Sequence, residues 1–199
     1  MGDAPTRYNT VAKTLHWLMA FLIAFILLLG WMMTADDILD GHRKSVALRV
    51  HESVGMIILG LGLLRLMWRF LSPPPSLPSS MPRWERVAAH TGHAVLYVLL
   101  IAMPLVGWTI VSTMPRNALF FFGLFPIPNL PVLPNLPNKK DIREIFENVH
   151  WTLAWVIVAF VALHVGAALK HHFIERDDIL LRMTPHYLGR FLRFIRGGC

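Results

Sequence analysis

The stretch 149–169 is apolar throughout, yet it holds two histidines, His150 near its start and His164 fourteen residues later. As a helix it is roughly 30 Å long, enough to cross the hydrocarbon of a bilayer. Fourteen residues at about 100° each fall within about 40° of a whole number of turns, so both imidazoles leave nearly the same face. They are separated along the axis by about 21 Å. Ionisable side chains at membrane depth are costly unless partnered. Such a helix therefore predicts two stacked sites, one near each membrane surface, and the rest of the chain must supply a partner for each.

Three more segments are long and apolar enough to span a membrane: 15–34, 54–70 and 87–112. The second is the shortest and contains Arg65, so the helix is drawn from about 51 to 70. With 55% hydrophobic and 16% charged residues, the fold class expected is an all-α integral membrane protein, a four-transmembrane-helix bundle. A water-soluble bundle is excluded because runs such as 20–31 offer no polar face. The first span is too long for a signal peptide and lacks a small-x-small cleavage site. The single cysteine, Cys199, permits no disulfide framework and no C-x-x-C-H haem attachment, and no structural role is expected of it.

Placing both termini in the cytoplasm puts twelve Lys and Arg on that side and seven on the other, as the positive-inside rule favours. Residues 36–50 then form a polar outer loop. Residues 72–82 form an inner one, bounded by Pro73, Pro74 and Pro75. Between the third and fourth spans, Pro128, Pro131, Pro134 and Pro137 recur every third residue after Pro126. That is the polyproline II period, read here as a stiff surface lid. Residues 140–148 predict a short amphipathic helix leading into the fourth span. Residues 1–176 form the membrane domain. Within 177–199, Tyr187, Leu188, Phe191 and Phe194 alternate with Arg190, Arg193 and Arg196, the pattern of an interfacial helix on anionic lipid rather than a nucleic-acid surface. The formal charge of +7 has the same origin.

This orientation pairs the histidines by depth: His16 with His164 at the inner end, His51 with His150 at the outer. Two opposed neutral imidazoles fill both axial positions of a haem iron, leaving a centre that passes single electrons. One turn after each proposed ligand stands a small residue, Ala20, Gly55, Ala154 or Ala168, with room for a macrocycle. Small residues are also common in membrane helices.

The motifs Thr14-Leu15-His16-Trp17-Leu18, His51-Glu52-Ser53-Val54-Gly55, Ala89-His90-Thr91-Gly92-His93, His150-Trp151-Thr152-Leu153-Ala154 and Leu163-His164 to Lys170-His171-His172 together resemble the bacterial cytochrome b561 family. The similarity runs from about Tyr8 to Pro185. It implies an inner-membrane cytochrome with two non-covalent b haems that reacts with quinone, with His16, His51, His150 and His164 as the axial, iron-binding ligands. One branch of that family oxidises superoxide and reduces ubiquinone; others relay electrons. The long proline-rich outer segment departs from the compact loop expected in that branch.

Other residues are candidates for supporting roles. His171 is placed as a hydrogen-bond and proton donor to a quinone carbonyl, against the alternative that His171 and His172 form a solvated pair. His90 and His93 are expected to hydrogen-bond near the inner haem. Arg65 lies fourteen residues after His51 and shares its face at inner depth, where a haem propionate is the expected partner. Arg49, with Arg43 and Lys44, is expected to serve the outer haem. His42 and His186 lie in polar surroundings. Three functional classes follow. One is an oxidoreductase joining an outer donor such as superoxide to quinone. The second is a relay subunit for a dehydrogenase or a periplasmic redox protein. The third is a histidine-lined metal or proton transporter.

Overall fold

A computed structural model of the chain describes residues 7–35, 38–115 and 118–197. Four long helices carry windows apolar enough to cross a membrane: α1 (Thr10–Thr34), α2 (Gly41–Leu71), α3 (Arg83–Ser112) and α4 (Lys139–Phe173). Between α3 and α4 lies an antiparallel hairpin, β1 (Leu119–Phe121) with β2 (Phe125–Ile127). Two short helices follow α4, namely α5 (Ile179–Met183) and α6 (His186–Ile195). The expected four-helix architecture is present. Four passes put the start of α1, the end of α4 and the α2–α3 loop on one face, the terminal face, and the hairpin on the other.

Consecutive helices pack on one another, α1 on α2, α2 on α3 and α3 on α4. Gly62 lets α2 approach α3 closely, since a Cβ there would stand 3.3 Å from Leu100 Cδ2. Along its apolar length α4 contributes no buried side chain; its buried residues are His171 and His172, at its end. That helix stands off from α1 and α2, and imidazoles reach across the interval.

Two local expectations are corrected, and a third gains its form. Residues 41–50 are helical rather than loop, because the Asp40 carboxylate caps α2 by accepting from Arg43 N (2.8 Å). An apolar-run criterion finds where a helix meets lipid, not where it begins. The amphipathic segment 140–148 is continuous with α4, whose helix starts at Lys139. The proline-rich segment, expected as a stiff lid, takes the form of a hairpin and a short turn. Phe120 pairs with Pro126 in the hairpin, and Val132 at φ 74 turns the chain into a single 3₁₀ turn, Leu133–Asn135. Proline is tolerated in β2 because a two-stranded sheet consists of edges.

Two buried serines pin this segment to the bundle. Ser53 Oγ of α2 accepts from Phe122 N (2.7 Å), and Ser112 Oγ of α3 accepts from Leu130 N (2.9 Å). Trp108 Nε1 adds a bond to the Pro128 carbonyl (3.0 Å). The turn runs through left-handed Phe122 and Gly123, the latter at φ 79, a conformation that glycine adopts without steric cost.

At the terminal face, Asn9 caps α1 and donates to Ser72 Oγ (2.8 Å), tying the start of α1 to the end of α2. Trp17 Nε1 donates to the Met183 carbonyl, and Arg182 Nη1 to the Ser76 carbonyl. These bonds staple α5 beneath the bundle with Leu181 buried. Helix α6 is amphipathic as expected, with Tyr187, Phe191 and Phe194 exposed beside Arg190 and Arg193. Asp36, Asp37, Arg116 and Cys199 lie outside the described residues.

Candidate functional site, two imidazole levels

His150 of α4 faces His51 of α2 with ring centroids 6.1 Å apart, and His164 of α4 faces His16 of α1 at the same 6.1 Å. The helices thus bring together the two pairs expected from depth alone. Interplanar angles are 60° at the hairpin-side level and 63° at the terminal-side level. Two unrelated helix pairs arrive at one spacing because α4 presents both of its imidazoles along a single face.

Each level has further members. At the terminal-side level His93 of α3 stands 5.4 Å from His164, making three imidazoles. Arg65 of α2 reaches the same depth, where Nη2 donates to His16 Nδ1 (3.2 Å) and Nη1 to the Ala12 carbonyl (3.1 Å). At the hairpin-side level two glycines stand behind the rings. A Cβ on Gly30 would lie 3.4 Å from His51 Cε1, and one on Gly107 would lie 3.4 Å from His150 Cε1.

Reading small residues one turn from each histidine missed these glycines; Gly55, for example, faces Ile26 instead. A signal was nevertheless present. The fourteen-residue interval of His150 and His164 recurs on every long helix, as His16–Gly30, His51–Arg65 and His93–Gly107. Four helices therefore send one residue each to two levels about 21 Å apart. His90 lies outside this register, and its Nδ1 donates to the Arg86 carbonyl (2.6 Å).

The donor set fits haem. Neutral imidazoles are ordinary axial ligands. With nitrogen–metal bonds of about 2 Å, two rings on opposite sides of one ion have centroids roughly 6 Å apart. The Nδ1 atoms of His51 and His150 are buried without a hydrogen-bond partner, so no protein contact competes for these rings. A third imidazole and a guanidinium enrich the terminal-side level, whereas glycines give the hairpin-side level its space.

The terminal end carries a polar cluster. His171 and His172 are buried rather than solvated. His172 Nε2 donates to the Leu192 carbonyl of α6 (3.1 Å), while His171 Nδ1 contacts Asp177 Oδ2 (2.7 Å) and Glu175 Oε2 (2.5 Å). The Lys170 ammonium joins Glu175 to Glu85 of α3. Its hydrogen bond holds the Glu175 carboxyl below the usual carboxylate range. Glu85, His171 and Glu175 place ligand atoms within 4.8 Å of one another, but Lys170 already supplies a cation to both carboxylates.

On the hairpin face the basic residues are less available than their number suggests. Arg43 pairs with Asp40 (3.5 Å), Arg143 with Glu147 (3.7 Å), and Lys139 donates to the Pro134 carbonyl. Arg49 is exposed, two residues before His51.

Against known proteins, residues 7–186 match the family model described as prokaryotic cytochrome b561. The chain is 35% identical over 183 residues to cytochrome b561 homolog 2 of Escherichia coli (strain K12), covering 91% of this chain and 93% of that one. It is 29% identical to cytochrome b561 homolog 1 of the same organism, covering 90% and 97%. It is 28% identical to the probable superoxide oxidase CybB of Yersinia pestis, covering 92% and 98%.

Proposed function

This chain belongs to the prokaryotic cytochrome b561 family, a family of haem b electron-transfer proteins of the membrane, and from that premise we propose that it carries electrons across the bacterial inner membrane between an outer donor and quinone, through two haems. One observation carries the reading: two imidazole pairs with the same 6.1 Å separation at two depths of the bundle. His16 and His164 hold the inner group, His51 and His150 the outer, and both termini are cytoplasmic. Haem held by two imidazoles supplies one-electron chemistry without an open coordination position. The apolar bundle excludes water, and the pinned hairpin and the α5 cap close its two ends. A histidine-lined transporter is the poorer account, because the imidazoles stand at two separate levels about 21 Å apart instead of in a continuous file. The test is a haem-to-protein ratio of two in the purified chain with a paired low-spin redox spectrum. A ratio of zero would return the transporter reading.

Arg65 has a role to match its cost. An imidazole that gives one nitrogen to iron keeps its proton on the other, which frees the guanidinium from His16 for an acid at that depth. We assign it to an inner-haem propionate. A positive charge there stabilises the reduced, less positive iron, so Arg65→Leu should lower the inner midpoint potential in a redox titration. An unchanged curve would mean that Arg65 serves only the Ala12 carbonyl and lipid phosphate.

Quinone is placed at the inner side beside His171, whose burial and carboxylate partners suit a proton donor. His171→Leu should slow haem oxidation by a short-chain ubiquinone about tenfold or more, with both haem spectra unchanged. A parental rate in that variant, with slowing on changes at Arg43 or Lys140, would move the site to the outer face.

The outer donor is the finer question. Family resemblance and the name of the Yersinia relative favour superoxide, drawn to Lys44, Arg49 and Lys140. The alternative is a relay subunit served by a dehydrogenase or periplasmic redox protein. Haem reduction by a superoxide flux, at a rate that falls with added salt, separates the first from the second.

A further inference from the structure

We propose that Asp177 loads His171 with the protons that quinone reduction consumes, drawing them from a cavity on the terminal face, while Glu85, Lys170 and Glu175 position the histidine. The proposal rests on the quinone reading of His171 given above.

The backbone is built to deliver this carboxylate. After α4 the chain reverses through Arg176, a non-glycine residue at φ 56. This turn brings Asp177 N back to the His171 carbonyl (3.1 Å) and its Oδ2 to His171 Nδ1 (2.7 Å). The other carboxylate oxygen, Oδ1, accepts from Ile179 N (2.9 Å), and Arg196 Nη1 of α6 donates to the Asp177 carbonyl (2.7 Å). Asp177 is thus held from both flanks with one oxygen aimed at the ring. A non-glycine residue in the left-handed region is strained; here that turn serves to seat one side chain.

Two carboxylates meet at a single nitrogen, since Glu175 Oε2 also contacts His171 Nδ1. Only one proton fits between Nδ1 and these oxygens, so the ring can exchange it with one carboxylate at a time. Lys170, bonded to Glu175 and to buried Glu85, keeps Glu175 as the anion. Asp177, which Lys170 does not bind, touches both the ring and the cavity, and the relay is assigned to it. The charged groups in contact with the ring or its partners among the described residues are Lys170 on α4, Glu85 on α3, Glu175 and Asp177 in the turn, and Arg196 on α6, itself paired with Asp178.

Access is present as well. A cavity of ≈ 300 Å³ lies between the α2–α3 loop and the α4–α5 turn, lined by Pro78, Ser80, Met81, Pro82, Glu175 and Asp177. Its acidic wall is formed by the two carboxylates that touch His171. Prolines hold the opposite wall rigid, with few groups that could trap a proton. Reduction of a quinone to a quinol takes two electrons and two protons. The family's haem b supplies the electrons. For each proton, His171 starts as its neutral Nε2–H tautomer: the Nε2–H bond breaks as a quinone O–H bond forms, and Nδ1 takes the proton of the Asp177 carboxyl. Solvent in the cavity reprotonates Asp177, and the ring returns from the Nδ1–H to the Nε2–H tautomer before the second transfer.

The experiment uses haem-loaded, reduced protein oxidised by a short-chain ubiquinone across a pH series, with ferricyanide as an acceptor that needs no proton. Asp177→Asn should slow the quinone reaction about tenfold or more at alkaline pH and less at acidic pH, and enlarge the solvent deuterium effect, with ferricyanide oxidation unchanged. Acetate, a small weak acid, should restore much of the rate, which repair of a purely structural loss would not do. A protonated-carboxyl feature in the redox-difference infrared spectrum should vanish in this variant, and Asp177→Glu should keep both feature and rate. If Asp177→Asn matches the parent across pH while His171→Leu is slow, the proton relay is overturned and the quinone site stands. If both variants match the parent, the relay and the inner quinone site fall together.

Discussion

Alanine at His150 is expected to halve the haem content of the purified protein, from two per chain to one, and to reduce electron transfer from an outer donor to quinone to background. His51→Ala should do the same to the same haem, because the two rings face each other at 6.1 Å. His16→Ala and His164→Ala should instead remove the inner haem. Spectra and potentiometry distinguish the survivors, since the two levels have different charge surroundings, Arg65 at one and glycine at the other. The sharper control is His93→Ala. His93 is nearer to His164 than His16 is, 5.4 Å against 6.1 Å. His16 nevertheless reproduces the spacing of the other pair, so His93→Ala should retain both haems. Two normal haems after any of the first four changes would break the pairing. Loss of the inner haem in His93→Ala alone would transfer the ligand role to α3.

Bulk behind the outer imidazoles should be as damaging as removing one. At Gly30 and Gly107 a Cβ would stand 3.4 Å from His51 Cε1 and His150 Cε1 respectively. Alanine is therefore accommodated, and Gly30→Ala or Gly107→Ala should keep two haems. Valine or leucine has no such space and must push the ring across its level. Overpacking of this kind costs about 1–3 kcal/mol, and the ring displacement removes the ligand geometry. Gly107→Val and Gly30→Leu should thus lose the outer haem while the inner spectrum persists. Gly60→Val provides the comparison, because a Cβ at Gly60 meets nothing within 4 Å. If Gly107→Val binds two haems with unaltered spectra, the glycine serves the α3 backbone and not the imidazole.

Much of this protein is legible along the chain because lipid imposes simple rules. A helix must be long and apolar to cross, so four spans could be counted without any contact being known. A polar ring inside a span is rare, so its depth could be read from its distance to the span's end. Depth alone then paired His16 with His164 and His51 with His150. The amphipathic α6 was equally plain, since its periodicity is local.

What the linear reading lacked was everything set by neighbours on other helices. Gly30 and Gly107 carry no chemistry of their own, and only the packing of α1 on α2 and of α3 on α4 makes them the walls behind two rings. His93 looked like one of an i, i+3 pair with His90; the bundle turns it toward His164, while His90 bonds the Arg86 carbonyl. The proline period gave a stiff lid without its shape; hydrogen bonds from Phe122 and Leu130 to buried Ser53 and Ser112 set it as a hairpin pinned to the bundle. His171 and His172 were open to a solvated reading until α5 and α6 covered them, because burial is a property of the cap and not of the helix that bears them. Span number, depth and charge follow from transfer energies summed residue by residue, and these the sequence alone determined. Which side chain stands behind an imidazole, and which carboxylate reaches it, depends on distances between segments far apart in the chain, and tertiary structure alone decided those.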